Sequence, residues 1–262
     1  MTRCHDTLSR HVVMNVIMTC CMESDVVNKI LELTKTGYQT IARDFSETRN
    51  FLWEDLLLFK DFIKDGAKIL DLGCGNGRLA QLLEGKNADY FGVDYNEEFI
   101  RIARAKYPQY KFEATDVQNL AIPVESYDIV SLIAVLNHLP GQELKKRVLA
   151  NAASYLKPGG RLLMTNWNLW NWSGKKSIRA FWQDQLLMTG KAFAEKYGIN
   201  KDELGYRDVI TLWKSGDGSR IARLYYYAFT RAELDKLLQK VGLSIVKSLK
   251  TKNNFVHVAQ KI

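Results

Sequence analysis

After Ala67 the apolar positions fall into short runs set apart by longer amphipathic stretches. Lys68-Ile-Leu-Asp-Leu72 has the length and polarity of one buried strand, and helical spacing returns over 77–84. The alternation then repeats. Tyr90-Phe-Gly-Val-Asp94 predicts a strand, 96–106 a helix stopped before Pro108, and 110–115 a third strand. Asp128-Ile-Val-Ser-Leu-Ile-Ala134 is apolar enough for a central parallel strand. A helix follows over about 141–156, and Leu156-Lys-Pro-Gly-Gly160 reads as a sharp stop before a strand from Arg161 to Thr165. Arg231 to Val241 predicts a helix closed by Gly242, and the runs 243–249 and 254–260 read as an antiparallel pair. Together these predict an α/β fold: a mostly parallel seven-stranded sheet with helices on both faces.

Two regions do not follow that rhythm. Residues 1–21 are rich in cysteine and methionine, show no clear period, and read as a poorly ordered leader. Residues 22–66 read as an N-terminal helical cap, with Tyr38 to Phe62 mostly amphipathic helix. Within the main domain, 67–262, the stretch 167–224 holds five of the six tryptophans, at 167, 170, 172, 182 and 213. It also carries a series of cations from Lys175 and Lys176 to Arg220 and Arg223. An insertion after strand five lies at the carboxyl end of the sheet, where open α/β folds bind ligands. It is therefore expected to be a substrate lid.

Composition narrows the classes. A chain of 262 residues builds one substantial core with an elaboration. No apolar run approaches the roughly 20 residues of a membrane span, so no membrane association is expected. Three of the four cysteines lie in the first 21 residues and the fourth is Cys74, a pattern without a disulfide framework that favours the cytoplasm. Histidines at 5, 11, 138 and 257 are too scattered for a metal site. The net charge of +8 permits contact with nucleic acid.

The chemistry centres on Gly73, Gly75 and Gly77, between the first strand and its helix. Asp71 stands at the end of that strand, before Leu72, and Asp94 ends the next. Such a loop lets backbone approach a ligand, and the second carboxylate is placed for ribose hydroxyls. A dinucleotide fingerprint needs glycine at the sixth position, and Arg78 stands there. The pattern Asp-x-Gly-x-Gly-x-Gly instead resembles the Rossmann-like class I S-adenosylmethionine-dependent methyltransferases, over residues 67–165. The resemblance implies that Gly73, Cys74, Gly75, Asn76 and Gly77 cradle the methionine end, with Asp71 orienting the loop or accepting from the ammonium. It implies Asp94 on the ribose and Tyr95 against the adenine face. Asp116 and the backbone of Val117 take the adenine edge, and Ala134 and Val135 lie near the methionine carboxylate and sulfonium.

A narrower likeness rests on Tyr38-x-x-Ile-Ala-x-x-Phe-Ser-x-Thr-Arg49 followed by Trp53, and on Ser131-Leu-Ile-Ala-Val-Leu-Asn-His138. Trp167, Tyr226-Tyr227 and Glu233-Leu234 extend it. These stretches resemble the tRNA wobble-uridine 5-carboxymethyl methyltransferases, which usually carry two consecutive histidines where this chain has Asn137-His138. The resemblance implies methyl esterification of a modified uridine in the tRNA anticodon loop, with a small zinc-containing activator protein as partner in eukaryotic relatives. A carboxylate acceptor is ionised at pH 7 and needs no strong base. His138 is then a group that orients the acceptor or acts as a weak base, and Arg49 a partner for a cofactor or substrate carboxylate. The alternative is a methyltransferase for a small metabolite such as a quinone precursor. A broad basic surface over 167–224 would favour RNA, and a closed apolar pocket a metabolite.

Overall fold

The computed structural model describes residues 22–48, 51–172, 178–215 and 218–262. The leader 1–21, Arg49, and Lys175 with Lys176 lie outside the described residues. The strands are β1 (Lys68–Leu72), β2 (Asp89–Asp94), β3 (Lys111–Ala114), β4 (Tyr127–Ile133), β5 (Leu156–Trp167), β6 (Asp208–Lys214), β7 (Ile221–Tyr227), β8 (Leu243–Lys250) and β9 (Asn254–Lys261). Seven of them form one sheet in the order β3-β2-β1-β4-β5-β9-β8. The first five in that order are parallel, and β9 and β8 close it antiparallel. This is the predicted sheet.

The helices are α1 (Ser24–Glu47), α2 (Glu54–Leu57), α3 (Glu97–Lys106), α4 (Gln142–Tyr155), α5 (Ile178–Leu187), α6 (Gly190–Tyr197) and α7 (Arg231–Lys240). Local chemistry starts and stops them. The Asn96 side chain accepts from the amides of Glu98 and Phe99 at the head of α3, and Arg104 and Lys106 occupy its last turn. Thr230 caps α7 by accepting from the Glu233 amide. Successive strand residues bury on opposite faces. Leu70, Leu162 and Met164 pack with Val148 and Leu149 of α4 and Leu234 of α7, and Ile69 and Leu163 pack with Leu56, Phe59 and Leu79.

Three expectations change. Tyr38 to Phe62 is not one helix: α1 begins at Ser24 and ends at Glu47, and the chain resumes as α2 and a 3-10 turn, Lys60–Phe62. The break lets α1 lie on β7 while α2 packs on the sheet beside Leu79 and Leu83. Residues Arg78–Leu83 form a tight 3-10 helix, entered from Gly77 in the left-handed region. Leu156-Lys-Pro-Gly-Gly160 does stop the helix, which ends at Tyr155, but it already belongs to β5, which begins at Leu156 rather than Arg161 and whose pairing with β4 jumps from Leu156 to Arg161. Gly160 permits it, since a Cβ there would lie 2.9 Å from the Lys157 carbonyl oxygen.

The insertion and the N-terminal cap share a core. Ile30 and Ile41 of α1 pack with Phe193, Ile210, Leu224 and Tyr225 of the insertion. The insertion's own sheet is the antiparallel pair β6 and β7, and β7 runs past residue 224 to Tyr227. The tryptophans mostly serve this subdomain rather than an exposed stacking face. Trp170 donates its indole N–H to the Phe229 carbonyl (2.6 Å) and Trp182 to that of Tyr206 (2.7 Å). Trp172 and Trp213 pack against its core. Several of its cations are committed as well: Arg220 to Asp44 (2.8 Å), Lys196 to Asp184 (2.5 Å) and Arg207 to Glu233. Arg179, Lys191 and Lys214 remain exposed. Among the described residues no helix is long and apolar enough to cross a membrane.

Candidate active site

The carboxyl ends of β1, β2 and β4 open into a cleft roofed by α1 and bounded by Trp53 and Trp167. The glycine loop forms its floor. The amides of Gly73 and Cys74 donate to the Val93 carbonyl at 2.8 and 2.9 Å, folding the loop back over β2. Gly73 has φ +73°, and a Cβ there would lie 2.6 Å from a methyl of Val135. Gly75, also at positive φ, has open space where a Cβ would project. Only glycine meets both conditions, a backward-folded backbone and room for a ligand. Ala134 leaves β4 at φ +57°, a strained value for a residue with a Cβ, and is held there by the Ala134 amide donating to Thr165.

Two carboxylates are built into this floor. Asp71 is buried and accepts from the hydroxyls of Tyr90 and Ser131, each at 2.6 Å. Burial outweighs those bonds and raises its pKa to about 6. Asp94 accepts from the amides of Gly75 (3.0 Å) and Asn96 (2.9 Å), and burial likewise raises it to about 6. Tyr95 lines the cleft, its phenol pushed up by burial. The Cys74 thiol is buried and also pushed up, so it is an inert loop residue. Asp116 sits at the same cleft with Val117, but its carboxylate is already engaged: Lys35 of α1 lies 2.8 Å away, and the Gln118 amide donates to its other oxygen.

Beyond the glycine loop the wall is aromatic. Ring centroids follow one another from Trp53 to Trp167 (4.8 Å), Trp172 (5.8 Å) and Tyr226 (5.4 Å). The series continues from Tyr226 to His138 (4.7 Å) and on to Tyr38 (5.2 Å). His138 has Nδ1 2.9 Å from the Tyr225 carbonyl oxygen, so Nδ1–H donates there and Nε2 accepts the Tyr38 hydroxyl at 3.1 Å. Burial lowers its pKa to about 4, leaving a neutral ring whose one lone pair is occupied. That geometry suits an orienting group and disfavours the weak-base role. Asn137, beside it, does not reach the cleft. Its side chain donates to the Tyr227 carbonyl and accepts from the Trp167 amide, tying β5 to β7.

The cleft thus brings together Asp71, Asn76, Asp94, Tyr95, Asp116, Ala134, Val135 and His138, as expected, with the loop glycines; Gly77 turns the chain behind them against Tyr107. Lys35 was not anticipated. Its signal is the spacing Leu31, Thr34, Lys35, Tyr38, one helical face that all lines the cleft.

Residues 41–248 match the family model for a methyltransferase domain. The chain belongs to that family. It is 33% identical over 130 residues to the tRNA (carboxymethyluridine(34)-5-O)-methyltransferase of Arabidopsis thaliana, a match covering 50% of this chain and 31% of the relative. It is 31% identical over 107 residues to the ubiquinone biosynthesis O-methyltransferase of Coxiella burnetii, covering 39% of this chain and 44% of that one. The chain thus spans less than half the length of either relative. A S-adenosylmethionine-dependent methyltransferase structure from Methanosarcina mazei superposes with TM-score 0.57 at 22% identity, covering 80% of this chain and 98% of that one, and shares its Rossmann-like class I fold.

The methyltransferase's cleft fits S-adenosylmethionine chemically. Asn76 is buried with a side-chain N–H that has no partner, and Gly75 leaves its Cβ space open. Buried carboxylates at about 6 are poised to ionise fully beside hydroxyl donors and a positive ligand.

Proposed function

We propose that this methyltransferase esterifies a carboxylate, that of a 5-carboxymethyl-type wobble uridine in tRNA. The observation that carries the reading is the lack of a usable base at the aromatic end of the cleft. There, among the described residues, His138 is the side chain best placed to take a proton, and its Nε2 lone pair receives the Tyr38 hydroxyl. A carboxylate acceptor is ionised at neutral pH and needs none; a phenol, with a pKa near about 10, does. S-adenosylmethionine, when bound, supplies a methyl group activated on a sulfonium.

In this reading the chain's residues bind and align. Asp94 accepts from the ribose hydroxyls, Asp116 and the Val117 amide take the adenine edge, and Asp71 faces the ammonium. Backbone at Gly73 to Gly77 and at Ala134 and Val135 encloses the methionine end. Trp53 and Trp167 offer flat walls to a base splayed from its loop. The likeness to the Arabidopsis thaliana enzyme supports the same acceptor. A small activator protein belongs to the proposal as a partner, and the cytoplasm as the place of action.

The mainly apolar, roofed cleft and the likeness to the Coxiella burnetii enzyme favour a second reading, a small phenolic acceptor. The test is transfer of labelled methyl to total tRNA and, in parallel, to a small-molecule extract, followed by mass analysis of nucleosides. Label in a base-labile methyl ester of a modified uridine supports the tRNA reading. Label only in an alkali-stable ether of a small molecule refutes it.

A further inference from the structure

We propose that the groove between α4 and α7 carries the phosphodiester backbone of the RNA acceptor, with Lys236 and Lys240 as its main contacts; the proposal rests on the tRNA reading above. A base splayed into a roofed cleft leaves the rest of its RNA on the surface outside the rim. Affinity for that part comes mainly from cations free to exchange small counterions for phosphates. Composition points to the insertion for such cations, but most are spent there. Arg220 and Lys196 hold carboxylates, and Arg223 donates to the Lys196 and Glu195 carbonyls. Among the described residues Arg179, Lys191 and Lys214 remain, one each on α5, α6 and β6.

The α4–α7 groove gathers its cations. Lys146, Arg207, Lys236 and Lys240 line it, against the carboxylates of Glu143 and Glu233. Both acids are answered from within. Glu233 pairs with Arg207, and its other oxygen accepts from the Tyr227 hydroxyl (2.9 Å) and the Gln142 amide (3.3 Å). Glu143 is tied to Lys146 at 2.6 Å, an exposed pair of the kind that contributes little and gives way to a stronger acceptor. Lys236 and Lys240 are exposed and, among the described residues, meet no carboxylate. Their spacing of four puts them on one face of α7, about 6 Å apart along its axis. Such a row suits a strand of regularly repeated negative charge.

Topology sets this groove beside the cleft. α4 follows β4, and α7 precedes β8, which runs parallel to β4. Both helices therefore begin at the carboxyl edge of the sheet, where the cleft opens, and run away from it. Gln142 stands at the head of the groove, shortly after His138 and Leu139 of the cleft wall. A strand that leaves the rim at that point passes down the groove with its phosphates along α7.

The test measures binding of a synthetic anticodon stem-loop to the full chain across a salt series. Lys236→Glu combined with Lys240→Glu is expected to weaken binding by on the order of tenfold or more and to reduce the salt slope by about 1 per lysine. Affinity for S-adenosylhomocysteine should stay at the wild-type value. Lys236→Gln with Lys240→Gln should lose less in the same direction, and it serves if charge reversal impairs folding. Lys60→Glu with Lys64→Glu makes the same change in net charge around the turn whose Phe59 and Ile63 pack on the other face of the sheet, and it should lose far less. Equal losses in the two reversed pairs would mean diffuse attraction to a basic protein. Unchanged binding in the α7 pair would place the RNA elsewhere. Either result overturns the groove and, where wild type still methylates tRNA, leaves the tRNA reading standing. A wild type that shows no salt-dependent binding of the stem-loop and labels only a small molecule removes both.

Discussion

The Tyr38 hydroxyl donates to Nε2 of His138 at 3.1 Å, and it does so because Nδ1–H of the same ring is given to the Tyr225 carbonyl. A carbonyl of β7 thereby fixes the tautomer of a side chain that β4 delivers to the cleft, and the cap helix occupies the lone pair that is left. With its pKa near 4, His138 stays neutral across the physiological range.

A pH–rate profile checks this. For the free enzyme, kcat/KM for cofactor should rise with pH through about 6, as Asp71 and Asp94 ionise. The same limb should persist in His138→Gln. A limb that disappears in that variant would make His138 the titrating group. Tyr38→Phe leaves the ring's lone pair unmatched, a cost of about 1–3 kcal/mol. We expect that loss in kcat/KM for the acceptor, with S-adenosylhomocysteine affinity unchanged.

Asp71→Asn separates binding from stability. The folded carboxyl has a pKa of about 6, above its ordinary 3.8, so the protonated form is the one folding favours. Its stabilising contribution is full below about 4 and is lost as pH rises through 6. At pH 8 the ionised buried group therefore costs about 2–3 kcal/mol, which asparagine removes while one of the two hydroxyls, of Tyr90 or Ser131, turns to accept from the amide N–H and the other still donates to its oxygen. The variant without ligand should melt several degrees higher than wild type at pH 8, and the gap should close towards pH 4. Its affinity for S-adenosylhomocysteine should fall. A variant melting lower at pH 8 would contradict the burial argument.

Gly37→Ala tests the docking of the cap. A Cβ at Gly37 would lie 2.5 Å from the Arg223 carbonyl oxygen and 3.0 Å from a Leu224 methyl. A backbone oxygen cannot yield as a side chain can, so α1 must lift from β7. Overpacking of this kind costs about 1–3 kcal/mol. Loss of that much in chemical denaturation is expected, together with weaker cofactor binding, because Lys35 and Tyr38 ride on the same helix. Wild-type stability would show that α1 and β7 are not in close contact.

Lys35→Met frees the Asp116 carboxylate. If Asp116 serves the adenine amino group, its ion pair with Lys35 competes with the cofactor. S-adenosylhomocysteine affinity should then rise severalfold in Lys35→Met and fall in Asp116→Ala, and raising the salt concentration should mimic the first change in wild type. Lower affinity in Lys35→Met would instead make the lysine part of the site.

The sheet and the floor of the cleft were legible in the sequence because their information is local. A run such as Lys68–Leu72 declares burial on both faces, and Gly73, Gly75 and Gly77 declare a backbone that side chains would block. Asp71 and Asp94 follow from standing at strand ends. The start of β5 was misplaced at Arg161 because proline and glycines that end the helix at Tyr155 also hide a bulge within the strand that follows. The insertion's tryptophans could be read as a stacking surface or as a core, since composition does not say what an aromatic ring packs against. The roof and far wall needed the tertiary structure. Lys35 meets Asp116 across 81 residues, Tyr38 meets His138 across 100, and Asp44 meets Arg220 across 176. The periodicity of α1 announces that one face is buried. Only its docking on β7, through Gly37, decides that this face closes the cleft and which polar atoms find each other there.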